Sequence, residues 1–179
     1  SAGTHQDYDK CIEACNQVLN YGKYQLEAEH ANVFVTHNEN SKEIIFSLPF
    51  DETYVTDWNG FDYHMYSLQP ENQATFNFKE TPWGGACVLP QYIDTFDPDD
   101  ERLKDDFISG PQYDMSGNPL KCTMGDLVGE PLVYVNEVTS IDASQENHGY
   151  RWGKFEYAPG ITNRLSNDFP ILRYADVYL

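Results

Sequence analysis

The clearest periodicity in the chain comes early. Tyr8, Ile12, Cys15 and Leu19 recur at helical spacing, and Cys11 and Val18 widen the stripe. Thr4 and Asp7 hold the positions of a capping box ahead of it, and Gly22 is placed to end it as a left-handed cap. The pattern predicts an amphipathic helix of about four turns. Its apolar stripe needs a partner, and no second copy of the stripe occurs in the chain. A period of two follows in Lys42–Leu48, which puts Ile44, Phe46 and Leu48 on one face of a strand. A second strand or hairpin is expected from Pro131 to Val138, with Leu132, Tyr134 and Val138 sharing a face. Between Pro49 and Gly85 no clean period survives, as in a long ordered loop. Loops of that length inside a compact domain are usually functional or wrongly assigned as loop. Pro90 opens a short helix through Tyr92, Ile93 and Phe96, and residues 139–159 read as polar and aromatic loop. No internal repeat and little continuous sheet are expected.

The end of the chain reads as another helix start. Asn167 and Asp168 are capping residues, and Pro170 pre-sets φ where its missing N–H costs nothing. Arg173 and Asp176 are three apart and can pair on one helical face. The sequence then stops at Leu179 without a C-cap, so the chain is expected to be a piece of a longer protein.

Composition narrows the function classes. Of 179 residues, 40% are hydrophobic and 15% aromatic, too apolar for a disordered chain. The net charge of −18 argues against nucleic acid and anionic membrane surfaces, and suits a soluble protein or a neutral ligand. No run of about 18 apolar residues exists to span a bilayer as a helix. Neither a signal peptide nor a lipid-attachment cysteine is visible at the first residues. Cys11, Cys15, Cys87 and Cys122 have no zinc spacing, and are expected to be buried thiols rather than disulfide partners.

The stretch richest in recognition chemistry runs from Tyr54 to Tyr66. Sugar binding needs flat apolar faces against pyranose C–H groups and short polar side chains for hydroxyls. Trp58, Tyr54, Asn59, Tyr63 and Tyr66 supply both, and Trp83 and Trp152 are further candidates; the competing reading is that these rings fill the core. The acidic run from Asp97 to Glu101 invites a calcium reading, since calcium takes about six to eight oxygens. Arg102 stands where an EF-hand needs glycine, so a salt-bridged turn is the better expectation for Asp97, Asp100 and Arg102. No metal ligand and no cofactor site is assigned. The five histidines form no H-E-x-x-H, and each is expected on the surface or in a loop. With no G-x-S-x-G, no P-loop and no nucleophile beside a credible base, the chain reads as a non-enzyme.

Several segments, in order, resemble the SusD/RagB family of outer-membrane nutrient-binding lipoproteins. Asn20-Tyr21-Gly22-x-Tyr24-x-Leu26 is similar to the end of the family's last N-terminal TPR-like helix and the G-x-Y-x-L after it. Phe34 with Asn40-Ser41-x-Glu43-Ile44-Ile45-Phe46, then Trp83-Gly84-Gly85, Phe96-Asp97-x-x-Asp100-x-Arg102 and Lys154-Phe155, look like later family stretches. The terminal Arg173-Tyr174-Ala175-Asp176 resembles the late R-Y-A-D signature. The resemblance covers nearly the whole chain, but the TPR-like repeats are absent except for their last helix. It implies an α+β, loop-rich fold with short helices and a small β element: residues 1–22 as the last TPR-like helix, 23–166 as a variable ligand-binding part and 167–179 as the start of the R-Y-A-D helix. It further implies glycan capture at the outer-membrane surface for a TonB-dependent, SusC-like transporter, with Arg173 and Asp176 structural. A structural cover over the transporter, binding of a peptide or other nutrient, and a glycoside hydrolase fragment remain as alternatives. A hydrolase needs only two carboxylates roughly 5 to 10 Å apart.

Overall fold

The structure is a computed structural model that describes residues 5–54 and 60–179. The helical stripe forms as expected: α1 runs His5–Tyr21, and Gly22 closes it at φ +73°, in the left-handed region. Thr4 lies outside the described residues. The stripe itself stays open, with Tyr8 and Ile12 about 60% exposed, and α1 has α6 (Tyr174–Tyr178) as its neighbour. Among the described residues no helix is long and apolar enough to cross a membrane.

The remaining helices are short: α2 Tyr63–Ser67, α3 Asn72–Phe76, α4 Pro90–Ile93 and α5 Glu101–Asp105. Strands are β1 Ile44–Leu48, β2 Phe107–Ile108, β3 Gly110–Pro111, β4 Val133–Tyr134, β5 Arg151–Trp152 and β6 Phe169–Arg173. They pair as three separate antiparallel ribbons, β1 with β6, β2 with β5 and β3 with β4. This is the loop-rich α+β architecture expected from the sequence.

Four expectations about secondary structure are corrected. Residues 169–173 are a strand rather than the first turns of a helix. Side-chain bonds hold this register: Asn167 donates to the carbonyl of Phe34 at 2.9 Å, and Asp168 accepts from Ser47 at 2.9 Å, which aligns the segment with β1. The helix starts only at Tyr174, where the backbone N–H of Arg173 donates to Asp176 at 2.7 Å. Arg173 and Asp176 therefore meet through a cap, and the Arg173 guanidinium turns to Glu43 at 3.2 Å. Second, register shifts around Phe46 break the alternation of β1, so Phe46 and Leu48 are exposed while Ile44 packs on the core. Third, the supposed long loop between Pro49 and Gly85 contains α2 and α3. Fourth, the 131–138 strand shrinks to β4, with Leu132 and Tyr134 buried and Val138 beyond it.

The main core is aromatic. Val33, Phe34, Phe61, Leu68, Phe78, Phe155 and Tyr157 are buried together, with Ile161 and Leu165 closing the cluster. Phe61 and Phe155 meet edge to face at 4.7 Å, the arrangement their quadrupoles prefer. Two smaller clusters, one around Phe107 and one around Leu132 and Tyr134, support the ribbons. His64 sits fully buried on α2, against the expectation of a surface or loop position, while His148 is nearly buried but lies in the 139–159 stretch expected as loop. All four cysteines are free, but Cys11 is exposed on α1 and only Cys122 is buried. Cys11 lies on the part of the α1 stripe that stays exposed with Tyr8 and Ile12, while Cys15, Val18 and Leu19 are half-buried.

Candidate functional site

The carbonyls at the end of a helix lack intrahelical partners, and α2 uses this to hold a neighbouring segment. Met65 O accepts from Trp83 N–H at 2.7 Å, Leu68 O from Gly84 N–H at 3.0 Å and Tyr66 O from Ala86 N–H at 2.9 Å. Gly84 and Gly85 make the turn at φ +71° and +118°, and a Cβ on Gly84 would sit 2.8 Å from Gln69 Oε1. The result places the Trp83 ring edge to face with Tyr66, centroids 4.6 Å apart. Both rings remain about half exposed, although one face of α2 is buried through His64, Met65 and Ser67.

Beside Trp83 lies an open cleft of about 300 Å³, formed by the Trp83–Gly85 segment, Met124 and Gly125, and residues 144–146, with buried Gln69 and Arg151 completing its lining. Gln69 Oε1, Glu146 Oε1 and Arg151 Nε are buried there without hydrogen-bond partners among the described residues. Such orphaned polar atoms are costly unless something satisfies them. Behind them the polar groups are well ordered. Gln69 Nε2 donates to Glu146 O at 3.0 Å, and Arg151 donates to Ala86 O and Glu146 O at 3.3 and 2.8 Å. The guanidinium lies 4.6 Å over the Tyr134 ring, while Tyr134 Oη donates to Asn72 Oδ1 at 2.5 Å. Burial pushes the Tyr134 hydroxyl up to about 12, so it remains a donor.

Glu146 Oε2 accepts from the backbone N–H groups of Thr123 and Met124 at 2.9 and 2.8 Å. Burial raises the pKa of the Glu146 carboxyl, the Met124 and Thr123 N–H groups pull it down, and the neighbouring Glu71 carboxyl adds to the rise. A larger hollow of about 530 Å³ lies between α3 and residues 119–121, but its one ring, Phe78, is buried and offers no face for stacking. Of these two hollows, the Trp83 cleft is the one that offers an exposed ring.

The sequence-predicted site residues are only partly gathered. Tyr66 and Trp83 come together, although they are separated in the chain and only Tyr66 belongs to the aromatic stretch. Tyr54 is exposed, and Trp58 and Asn59 lie outside the described residues. Tyr63 packs into the core between Phe61 and Tyr157, with its hydroxyl accepting from Phe155 N–H at 3.3 Å. Trp152 rests against Phe107 on β5, about one third exposed. Gln69, Glu146 and Arg151 escaped sequence reasoning, since isolated polar residues in irregular segments give no periodic signal. In the acidic run, Asp100 caps α5 and holds Arg102 in a two-pronged pair at 2.9 and 2.5 Å; Arg102 in turn holds the Asp100 carboxyl down to about 2. Asp97 accepts from Asp99 N–H at 3.0 Å, so this segment is a capped turn. Among the described residues, no group of three or more His, Cys, Asp or Glu side chains is arranged to hold a metal ion.

This arrangement of short helices, small ribbons and long ordered connections is similar in fold to solved structures of SusD superfamily proteins. No protein-family model and no curated protein matches the sequence. Solved structures do. A SusD superfamily protein from Parabacteroides distasonis superimposes with a TM-score of 0.63 at 17% identity, over 98% of this chain and 33% of that one. Surface glycan-binding protein A from Bacteroides thetaiotaomicron gives 0.61 at 16% identity, over 96% of this chain and 37% of that one. NanU from B. fragilis gives 0.59 at 18% identity, over 98% and 34%. At these identities the likeness is one of fold, and the chain spans about a third of the length of the proteins it matches.

Proposed function

We propose that this chain is the ligand-holding part of a SusD-like, non-catalytic glycan-binding protein. The observation that carries the reading is the exposed Trp83–Tyr66 pair on the rim of a polar cleft. A ring face takes the C–H side of a pyranose, and the polar groups around it take hydroxyls. The fold supports the same reading, because one similar structure is a surface glycan-binding protein. In the full-length protein the site would lie at the outer-membrane surface on a lipoprotein and pass its oligosaccharide to a TonB-dependent, SusC-like transporter. Trp58, Asn59, Tyr54 and Trp152 are further ligand contacts within the same proposal. Affinity falls on the order of micromolar to millimolar, since an open groove must order a flexible sugar.

Affinity electrophoresis of this chain and its Trp83→Ala variant in gels containing a panel of polysaccharides tests the proposal. Retardation by one or more polymers, lost in the variant while its melting temperature stays put, supports it. A variant that is retarded like the parent overturns the placement at Trp83. Trp58→Ala, run beside it, tests whether the aromatic stretch contributes.

A further inference from the structure

We propose that the Trp83 cleft selects neutral glycans and turns away glycans bearing carboxylate or sulfate groups, and that Glu146 and Glu71 set this preference. The inference rests on the glycan-binding reading above and adds the chemical class of the ligand.

Thr123 anchors both carboxyls. Its backbone N–H donates to Glu146 Oε2 and its hydroxyl to Glu71 Oε1. The opposite oxygens, Glu146 Oε1 and Glu71 Oε2, are buried with no donor among the described residues. Two carboxyls gathered in this way concentrate negative charge at one end of the cleft, Glu146 in its lining and Glu71 from the adjoining hollow between α3 and residues 119–121. In a site partly removed from water that charge acts more strongly than it would in bulk solvent. Asp126 adds to it nearby, 3.5 Å from the Gln145 side chain on the cleft wall.

The positive side of the balance is already committed. Arg151 is the one cation lining the cleft among the described residues. It is 2% exposed, bonded to two backbone carbonyls and covered by the Tyr134 ring. Its two terminal nitrogens are committed to those carbonyls and only Nε lacks a partner, so it presents no two-pronged fork to a ligand anion. Residues 1–4 and 55–59, outside the described part, contain no lysine or arginine. A uronate or sulfate entering here would meet negative charge, and among the described residues lining the cleft there is no exposed guanidinium or ammonium to receive it, on a chain of net charge −18. A sugar hydroxyl brings a donor to the same acidic wall and suits it.

The test pairs one polymer with its own charged derivative. A neutral polysaccharide that retards the chain is oxidised at its primary hydroxyls to carboxylates, and both forms are compared by affinity electrophoresis at ~20 mM salt, where screening is weak. The expected result is at least about a tenfold loss of affinity for the oxidised form, recovered in part by raising salt and by Glu71→Gln with Glu146→Gln. Equal or tighter binding of the oxidised polymer overturns the inference while leaving glycan binding intact. Silence toward every neutral polymer, with polygalacturonate or chondroitin sulfate bound instead, overturns it as well. Silence toward all polymers overturns the glycan-binding reading on which the inference stands. The polymer pair decides the matter even if the double variant fails to fold.

Discussion

His64 should make this protein lose stability in mild acid. Its ring is fully buried on α2, 5.3 Å from Tyr157 and 5.5 Å from Phe78. Neither ring nitrogen reaches a hydrogen-bond partner among the described residues. Burial lowers its pKa from 6.5 to about 4, against an opposing pull from the Thr162 backbone. In the unfolded chain the ring takes up its proton near 6.5, so acid favours unfolding. The neutral ring's contribution is complete above that value and drains away as pH falls toward about 4. A fall of about two and a half units, at ~1.4 kcal/mol each, sets a ceiling of about 3 kcal/mol. Between about pH 7.5 and about pH 4.5 the cost is about 2.5 kcal/mol, a large share of a domain's stability. The assay is urea unfolding across that range for the parent and for His64→Leu, which keeps an apolar side chain against Phe78 and Tyr157. Other titrating groups appear in both proteins and cancel in the difference. The variant should equal or exceed the parent at neutral pH, because it removes two orphaned nitrogens, and should lead by a margin that widens by about 2 to 3 kcal/mol in acid. Parallel profiles, within about 0.5 kcal/mol at every pH, would refute the reasoning.

The other predictions concern the groups that hold the cleft and the chain ends. Tyr134→Phe removes the hydroxyl that donates to Asn72 and accepts from Gln69 N–H at 3.4 Å; it should cost about 1 to 3 kcal/mol in urea unfolding. Gly149→Ala should cost more, or abolish soluble expression. Gly149 has φ +72°, and an added Cβ would lie 2.6 Å from Cys87 Sγ and 2.9 Å from Val88 O. Asp176→Ala deletes the cap on Arg173 N–H and should lower stability by about 1 kcal/mol without changing retardation by any polysaccharide. Equal melting temperatures with lost binding would move Asp176 from structure to function.

Much of the local structure was legible because its causes are local. The period of α1 and the left-handed cap at Gly22 need only nearest neighbours along the chain. Pro90 at the first turn of α4 and Asp100 beside Arg102 are likewise short-range events. The chain's end misled for a physical reason. Asn167, Asp168 and Pro170 carry helix-start chemistry, yet Asn167 and Asp168 spend their side chains on Phe34 O and Ser47, more than a hundred residues away in sequence. Those bonds, and pairing with β1, outweigh a local preference worth about 1 kcal/mol. His64 shows the same limit, because nothing near it in sequence announces that Phe78 and Tyr157 will enclose it.

By itself the sequence determined the helical stripe, the short-element α+β class, the acidic balance that disfavours polyanions, and the supply of aromatic rings. Only the tertiary structure decided which rings remain on the surface. Tyr63 and Tyr66 stand three apart in the same stretch, yet one is packed into the core and the other meets Trp83 at the cleft. The difference arises because one face of α2 is covered by the aromatic core while the carbonyls at its end hold the Trp83–Ala86 segment alongside. Contacts of that kind join residues distant in the chain, and no periodicity encodes them.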